Sequence, residues 1–275
     1  MKLHVIPNGW NENDLAHIVL NPHLGTDADR SPRAEWVRVP IWSVLIETDD
    51  GRRILFDTAS HPDAMTERWP ANQRSLTPYT CPEKELLVPS LVRLGVRPED
   101  IDVVIASHLH EDHAGGLELF PNATVYVHEN ELKNALLLYA TRPETEMGAY
   151  IKRDIQKWLE LGLRWRPVIP EEGDVEIAPG VTVLNWGPGH TFGMLGLHVQ
   201  LPKTGSIILC SDAILSAANY GPPARLNGFP YDSLRVLATT ELVRRMAEKH
   251  NAAVWFGHDM EQFTSLTHAD DGYYD

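Results

Sequence analysis

Apolar positions along this chain follow two spacings, and stretches of one spacing give way to the other from end to end. Residues 2–6 form a short apolar run. Residues 39–47 and 53–57 are rich in β-branched and apolar side chains and flank Asp49-Asp50-Gly51, which has the chemistry of a hairpin turn. Residues 10–36 break this pattern: they are polar, contain prolines and carry Asp27, Asp29, Arg30 and Arg33, which suggests a long ordered loop. Residues 83–95 read as a helix, with Leu86, Leu87, Leu91 and Leu94 near helical spacing and Gly95 as its stop. Strands are predicted at 101–106 and 124–128, then helices at 129–140 and 144–161. Strands return at 181–186, 195–201 and 206–209, followed by a helix at 232–249 and a last strand at 253–256. This order suits two sheets packed face to face with helices outside, and a doubly wound sheet also fits it.

Composition narrows the picture. A chain of 275 residues with 43% hydrophobic content can bury one large core, so residues 1–275 are expected to form a single domain. The formal net charge of -14 repels phosphate backbones, which argues against nucleic acid and anionic membrane as partners. Cys81 and Cys210 are too few for a disulfide framework, and Cys210 follows the apolar run Ile207-Ile208-Leu209 as a buried, inert thiol would. No stretch reads as a signal peptide or approaches the roughly 18 apolar residues of a membrane span, so a cytoplasmic, soluble protein is expected.

The chemistry concentrates in Ser107-His108-Leu109-His110-Glu111-Asp112-His113-Ala114-Gly115-Gly116, directly after an apolar strand. Imidazole and carboxylate groups suit zinc and similar borderline metals. Two alternating histidines can face one side of an extended chain, and a following turn can bring Asp112 and His113 to a neighbouring position. The glycines would let the backbone turn tightly there. A solvated loop that happens to be rich in histidine is the plain alternative, and the density of donors argues against it.

The spacing His108-x-His110-x-Asp112-His113 resembles the signature of the metallo-β-lactamase superfamily. The resemblance spans roughly residues 39–260, because His190 in Gly187-Pro188-Gly189-His190-Thr191, Asp212 in Cys210-Ser211-Asp212-Ala213 and His258 in Phe256-Gly257-His258-Asp259 follow in the family's order. It implies an α/β fold: an αβ/βα four-layer sandwich of two packed mixed sheets with outer helices. It also implies two divalent metal ions, zinc first and manganese, iron or cobalt as alternatives. His108, His110 and His190 would hold one ion, Asp112, His113 and His258 the other, and Asp212 would bridge them. Water shared by two such cations ionises near neutral pH and becomes a nucleophile. Asp112 would pass a proton to the leaving oxygen. Asp57, at the end of a strand, resembles the family's aspartate that orients a ligand histidine.

Several features place the chain within the superfamily. It is short and acidic for a nuclease, lacks a flavodoxin-like extension, keeps His110 where oxygen-reducing members tend to carry Glu, and has Asp212 where the penicillin-cleaving branch has Cys. Val39-Pro40-Ile41-Trp42, the Asp57 segment, the His190 loop and Phe256-Gly257-His258-Asp259-Met260-Glu261-Gln262 look closest to the N-acyl homoserine lactonase group. The implied activity is hydrolytic opening of an N-acyl homoserine lactone or a related small lactone. Hydrolysis of another carboxylic ester, an amide or a phosphoester is the alternative. That group usually has a tyrosine three residues after the bridging aspartate, where this chain has Leu215; Tyr220 is the nearby substitute. The remaining histidines (His4, His17, His23, His61, His128, His198, His250 and His268) read as ordinary surface or core residues. Trp10, Trp36, Trp42, Trp69 and Trp186 read as core and interface packing in preference to an acyl pocket. By family analogy the long N-terminal loop suggests a homodimer.

Overall fold

The computed structural model describes residues 1–275. Twelve strands form two sheets. The first runs through β1 (Lys2–Asp14), β2 (Trp36–Glu47), β3 (Arg53–Phe56), β4 (Tyr79–Thr80), β5 (Val103–Ile105), β6 (Thr124–His128) and β7 (Arg164–Val168), in the order β4-β1-β2-β3-β5-β6-β7. The second holds β8 (Val175–Ala178), β9 (Val181–Gly187), β10 (Met194–Leu201), β11 (Gly205–Leu209) and β12 (Ala253–Trp255), in the order β12-β11-β10-β9-β8. The helices are α1 (Leu15–Ile18), α2 (Ala71–Leu76), α3 (Leu87–Arg93), α4 (Glu111–Ala114), α5 (Glu129–Thr141), α6 (Lys152–Leu161), α7 (Ala217–Tyr220), α8 (Ser233–His250) and α9 (Met260–Ser265). None is long and apolar enough to cross a membrane.

The period-two pattern of the strands explains the layering. On β2, Val44 and Ile46 belong to the cluster between the sheets, while Leu45 packs with the helices outside. Ile54 and Phe56 face inward on β3 and Leu55 outward; Ile207 and Leu209 face inward on β11 and Ile208 outward. Both faces of these strands are apolar because both are covered. The first sheet's outer cluster includes Leu91 of α3, Ala135 of α5 and Trp158 of α6, and the second sheet's includes Val243 of α8. Each fully buried side chain of this size contributes about 1.5–3 kcal/mol. The result is the four-layer αβ/βα sandwich.

The structure adds whole elements that the apolar pattern left unassigned, among them β4, β7, β8, α2, α7 and α9, and it moves the bounds of others. Residues 10–36 are not one long loop, because β1 continues to Asp14 in register with β2, Trp10 opposite Pro40 and Asp14 opposite Trp36. Its polar residues Asn11 and Asn13 are buried by the rest of the fold, which a local reading of polarity does not anticipate. The helix expected at 83–95 divides into a 3-10 turn at Glu83–Glu85 and α3, with Leu86 extended between them. The helix expected at 144–161 starts only at Lys152, after a 3-10 turn and Gly148 at φ +62°. α8 keeps close to its expected bounds because Asp232 accepts from Arg235 N at 3.0 Å and Asn251 closes it at φ 48°.

Strand polarity positions the site. β3, β5 and β6 run parallel, as do β11 and β12. The segments that follow β3, β5, β9, β11 and β12 carry Asp57, His108, His190, Asp212 and His258 respectively. Ligand sites form outside the carboxyl ends of such strands. A hydrogen bond from Leu195 N to Ser107 O, 2.8 Å, ties the sheets together beside the first histidine.

Candidate metal centre

His108 lies three residues beyond β5, His110 has an extended backbone, and the short helix α4 begins directly after it. Its turn, closed by His113 N and Ala114 N on His110 O, swings Asp112 and His113 back towards His108. The glycines that follow act differently from the sequence expectation. Gly115 and Gly116 have no positive φ; they are required by space, since a Cβ would lie 2.5 Å from Glu111 O and 2.4 Å from Thr58 O respectively.

The structure brings together His108, His110, Asp112, His113, His190, Asp212 and His258. Donor atoms of His108, His110 and His190 lie within 4.8 Å of one another, as do those of Asp112, His113 and His258. Asp212 stands between the two groups. Its Oδ2 is 3.2 Å from His190 Nε2 and 4.0 Å from His108 Nε2. Its Oδ1 is 3.1 Å from His258 Nε2 and 3.3 Å from His113 Nε2. Asp112 completes the second group at 3.5 Å from His258 Nε2 and 3.6 Å from His113 Nε2.

These donors suit cations. His108 Nε2 is buried with no hydrogen-bond partner, an arrangement costly to maintain unless something else binds there. Outward-facing ring nitrogens are held instead: His113 Nδ1 lies 2.9 Å from Asp57 Oδ2, His258 Nδ1 3.0 Å from Pro40 O and His108 Nδ1 3.0 Å from Ser107 Oγ. Burial pushes His108 and His110 well below the ordinary histidine range, keeping them neutral as ligands must be. Burial opposes charge on His113 and His258 as well, but Asp212 and Asp112 outweigh it and hold both above the ordinary value. Burial also disfavours the Asp212 carboxylate, yet His258 and His113 hold its pKa well below the usual range. Such a site calls for positive charge, and two divalent cations would supply it.

The supporting residues are more numerous than the sequence suggested. Asp57, at φ 58°, accepts from Ser107 N at 2.8 Å and from Ser107 Oγ at 2.9 Å. Ser211 Oγ donates to Ser107 Oγ at 2.8 Å. The two serines directly precede His108 and Asp212, the only local signal of this role. Glu131 of α5 was not anticipated. It accepts from Leu109 N at 3.0 Å, Tyr150 Oη at 2.8 Å and Gly193 N at 3.2 Å, joining the His108–His110 segment to the loop after His190. Burial pushes its pKa up to about 7 against those bonds.

Above the ligands opens a cavity of about 450 Å³, reached by His110, Asp112, His190, Asp212 and His258. Leu215 is part of its wall. Tyr220 is not: its ring packs on Phe256 at 5.4 Å with the Arg244 guanidinium 5.1 Å from its centre. The substitution of Tyr220 for the missing tyrosine is therefore corrected, because α7 turns that side chain towards α8 and away from the ligands. His17 was read as an ordinary histidine and instead lines the cavity. None of the five tryptophans considered does so; Trp69 and Trp186 are buried, whereas Trp36 is exposed.

A fold of two stacked sheets with a histidine-aspartate cluster at the strand ends matches the family model described as the metallo-beta-lactamase superfamily over residues 36–258, and the chain belongs to that superfamily. Within it the similarity is to one group. An N-acyl homoserine lactonase, AiiB, of Agrobacterium fabrum is 38% identical over 276 residues, covering 100% of this chain and 99% of that one. The N-acyl homoserine lactonase AiiA of Bacillus thuringiensis subsp. kurstaki is 31% identical, with 95% and 94% covered. Among solved structures, an N-acyl homoserine lactone hydrolase with its product N-hexanoyl-L-homoserine at the catalytic metal centre superposes with a TM-score of 0.81 at 27% identity, covering 100% of this chain and 98% of that one.

Proposed function

We propose that residues 1–275 work as one hydrolase domain that opens the ring of an N-acyl homoserine lactone, or a related small lactone, in the cytoplasm. The observation that carries the reading is the position of Asp212, one carboxylate oxygen facing each half of the ligand set, at the floor of a cavity large enough for a small substrate. The full-length similarity to N-acyl homoserine lactonases supports the choice of substrate.

His108, His110 and His190 would hold one divalent cation, Asp112, His113 and His258 a second, and Asp212 both. Imidazole and carboxylate favour zinc, with manganese, iron and cobalt as competitors. When bound, such a pair polarises a carbonyl and lowers the pKa of water. The chain's own groups do the rest. Asp57 and Pro40 O fix the ring orientations of His113 and His258, so that Nε2 of each faces inward. Asn11 Nδ2 holds Asp112 Oδ2 at 3.3 Å. Asp112 is thereby placed to carry a proton to the ring oxygen as the carbonyl carbon–oxygen bond of the lactone breaks, leaving an acid and an alcohol. Leu215 contributes apolar wall only.

The test is a panel of lactones, other carboxylic esters, amides and phosphoesters with zinc-loaded protein and its chelated counterpart. Ring opening that chelation abolishes and zinc restores is expected. Absence of lactone turnover alongside clear turnover of another class ends the reading. A homodimer is also proposed, through the segment bearing exposed Leu24 and Trp36, and light scattering checks it.

A further inference from the structure

A lactone's carbonyl and ring oxygen are served by the centre just described, but an N-acyl lactone carries a further polar group, the secondary amide. Its carbonyl oxygen, buried in the cavity without a donor, would cost about 1–3 kcal/mol. The cavity has few donors to spare. Asn11 Nδ2 is engaged with Asp112, Gln73 Nε2 with Glu111 and Thr77, and Thr77 Oγ1 with Gln73 O. Tyr150 Oη is held by Glu131 and Thr191 Oγ1 by Met194 Sδ. Asn13 Nδ2 lies 3.2 Å from His17 Nδ1 and donates to it, which leaves the ring proton of the neutral imidazole on Nε2. His17 Nε2 has no partner in the chain and is not sealed from solvent. Among the lining side chains outside the ligand set, the other donor without a partner is the Tyr231 hydroxyl, on a residue 60% exposed.

His17 is the better-placed of the two. It sits in α1, whose cap Asp14 accepts from Ala16 N at 3.0 Å, and its carbonyl accepts from Gly228 N at 2.9 Å. The Phe229 ring meets the imidazole edge-on, 5.0 Å between centres. Ile18, the next residue, packs in one cluster with Leu215, so His17 adjoins the wall that offers no donor of its own. Burial lowers the pKa of His17, with Asp14 opposing, and favours the neutral ring. A donor held in this way loses little freedom on binding.

We propose that His17 is a specificity-determining residue: its Nε2–H donates to the acylamide carbonyl of the substrate and favours N-acylated lactones over lactones that lack the amide. The inference rests on the lactonase reading above. It is tested with zinc-loaded wild type, His17→Leu, His17→Gln and Tyr231→Phe, on N-hexanoyl homoserine lactone and on γ-decalactone, which has an apolar chain but no amide. For His17→Leu, kcat/KM on the acylated substrate is expected to fall about tenfold, chiefly through KM, and to stay within about twofold on γ-decalactone. His17→Gln, whose amide nitrogen can reach the position of Nε2, should recover most of the loss. Equal loss on both substrates, no loss on either, or an amide-specific loss in Tyr231→Phe instead overturns the proposal.

Should His17→Leu not fold, the imidazole 15N resonances of the zinc-loaded wild type are followed during addition of N-hexanoyl homoserine. A shift of the protonated Nε2 of His17 is expected, and its absence at saturating product overturns the proposal. Wild type that opens neither lactone overturns the lactonase reading itself, whereas lactone turnover insensitive to His17 removes this inference alone.

Discussion

The floor of the cavity and its mouth are built on different principles. On the floor, the outward nitrogens of His108, His113 and His258 each face an acceptor, and the aspartate and serines behind them bond to one another. At the mouth, Phe229 is 70% exposed, Tyr231 60% and Leu76 48%, and the two aromatic rings meet His17 and Phe192 edge-on without a side-chain hydrogen bond. A rigid floor suits chemistry, where small displacements of reacting groups are costly. An open apolar rim suits variable chains, because apolar contact is non-directional. The contrast predicts that substitutions on the floor cost catalysis and ion binding, while those at the rim cost substrate affinity.

The largest effect is expected from His258→Ala. It removes one donor of the Asp112–His113–His258 group and leaves Asp212 Oδ1 without its nearest neighbour, 3.1 Å away. Loss of one ion per chain by elemental analysis is expected. A barrier increase of about 3–4 kcal/mol, or about 10²–10³-fold in kcat/KM, should accompany it. Full activity with a single remaining ion would show that the two halves of the floor do not act together.

Glu131→Gln tests whether the floor's stiffness depends on the residues behind the ligands. The amide can present only one oxygen to three donors, so Gly193 N or another group loses its acceptor. A cost of about 2 kcal/mol corresponds to a Tm lower by about 4–6 °C. The pH dependence has a definite sign. Burial pushes the Glu131 carboxyl up from its ordinary value of 4.5 to about 7 in the folded chain. Its contribution to stability is therefore fully present below about pH 4.5 and is lost as pH rises through about 7. The Tm deficit of Glu131→Gln relative to wild type should narrow between pH 5 and pH 8. A deficit that stays constant over that range would mean that Glu131 is charged throughout.

The two regions also differ in how much of them is legible from the sequence. Four of the seven floor ligands lie within six consecutive positions, and the other three each follow a strand, so donor density and strand order both point to them. The architecture follows from period-two apolar runs, since a strand with both faces covered must be apolar on both. Glu131 could not be found this way: a Glu in the first turn of a helix is ordinary, and only tertiary packing makes this one fully buried. The mouth is less legible again. Asn11, Asn13 and His17 lie in a polar stretch that reads as loop, and they become cavity wall because β1 pairs with β2 beyond its apolar part.

Phe229→Ala addresses the rim. The side chain is largely exposed, so stability should stay within about 0.5 kcal/mol of wild type. Its ring borders the cavity and steadies His17, so KM for a long acyl chain should rise, by about three- to tenfold, with kcat little changed. A fall in kcat with unchanged KM would place Phe229 functionally with the floor.

The smallest effect is expected at Tyr220, and it is informative for that reason. The sequence nominated this residue because it lies five positions beyond Leu215, near enough to replace a missing hydroxyl. In the fold its ring belongs to the cluster of Cys210, Val243 and Phe256 under α8. Arg244 stacks over the ring and also donates to the Tyr220 carbonyl, so the residue is held from two sides. Tyr220→Phe keeps the ring, the stacked guanidinium and the backbone contact, and removes only a hydroxyl that bonds to nothing in the chain. Stability within about 0.5 kcal/mol is expected, with kcat/KM on any lactone within about twofold. A loss of tenfold or more, confined to kcat, would mean that α7 swings Tyr220 over the ligands during turnover. The floor would then borrow a moving part from outside the cavity, and the division between a fixed floor and an adaptable mouth would fail.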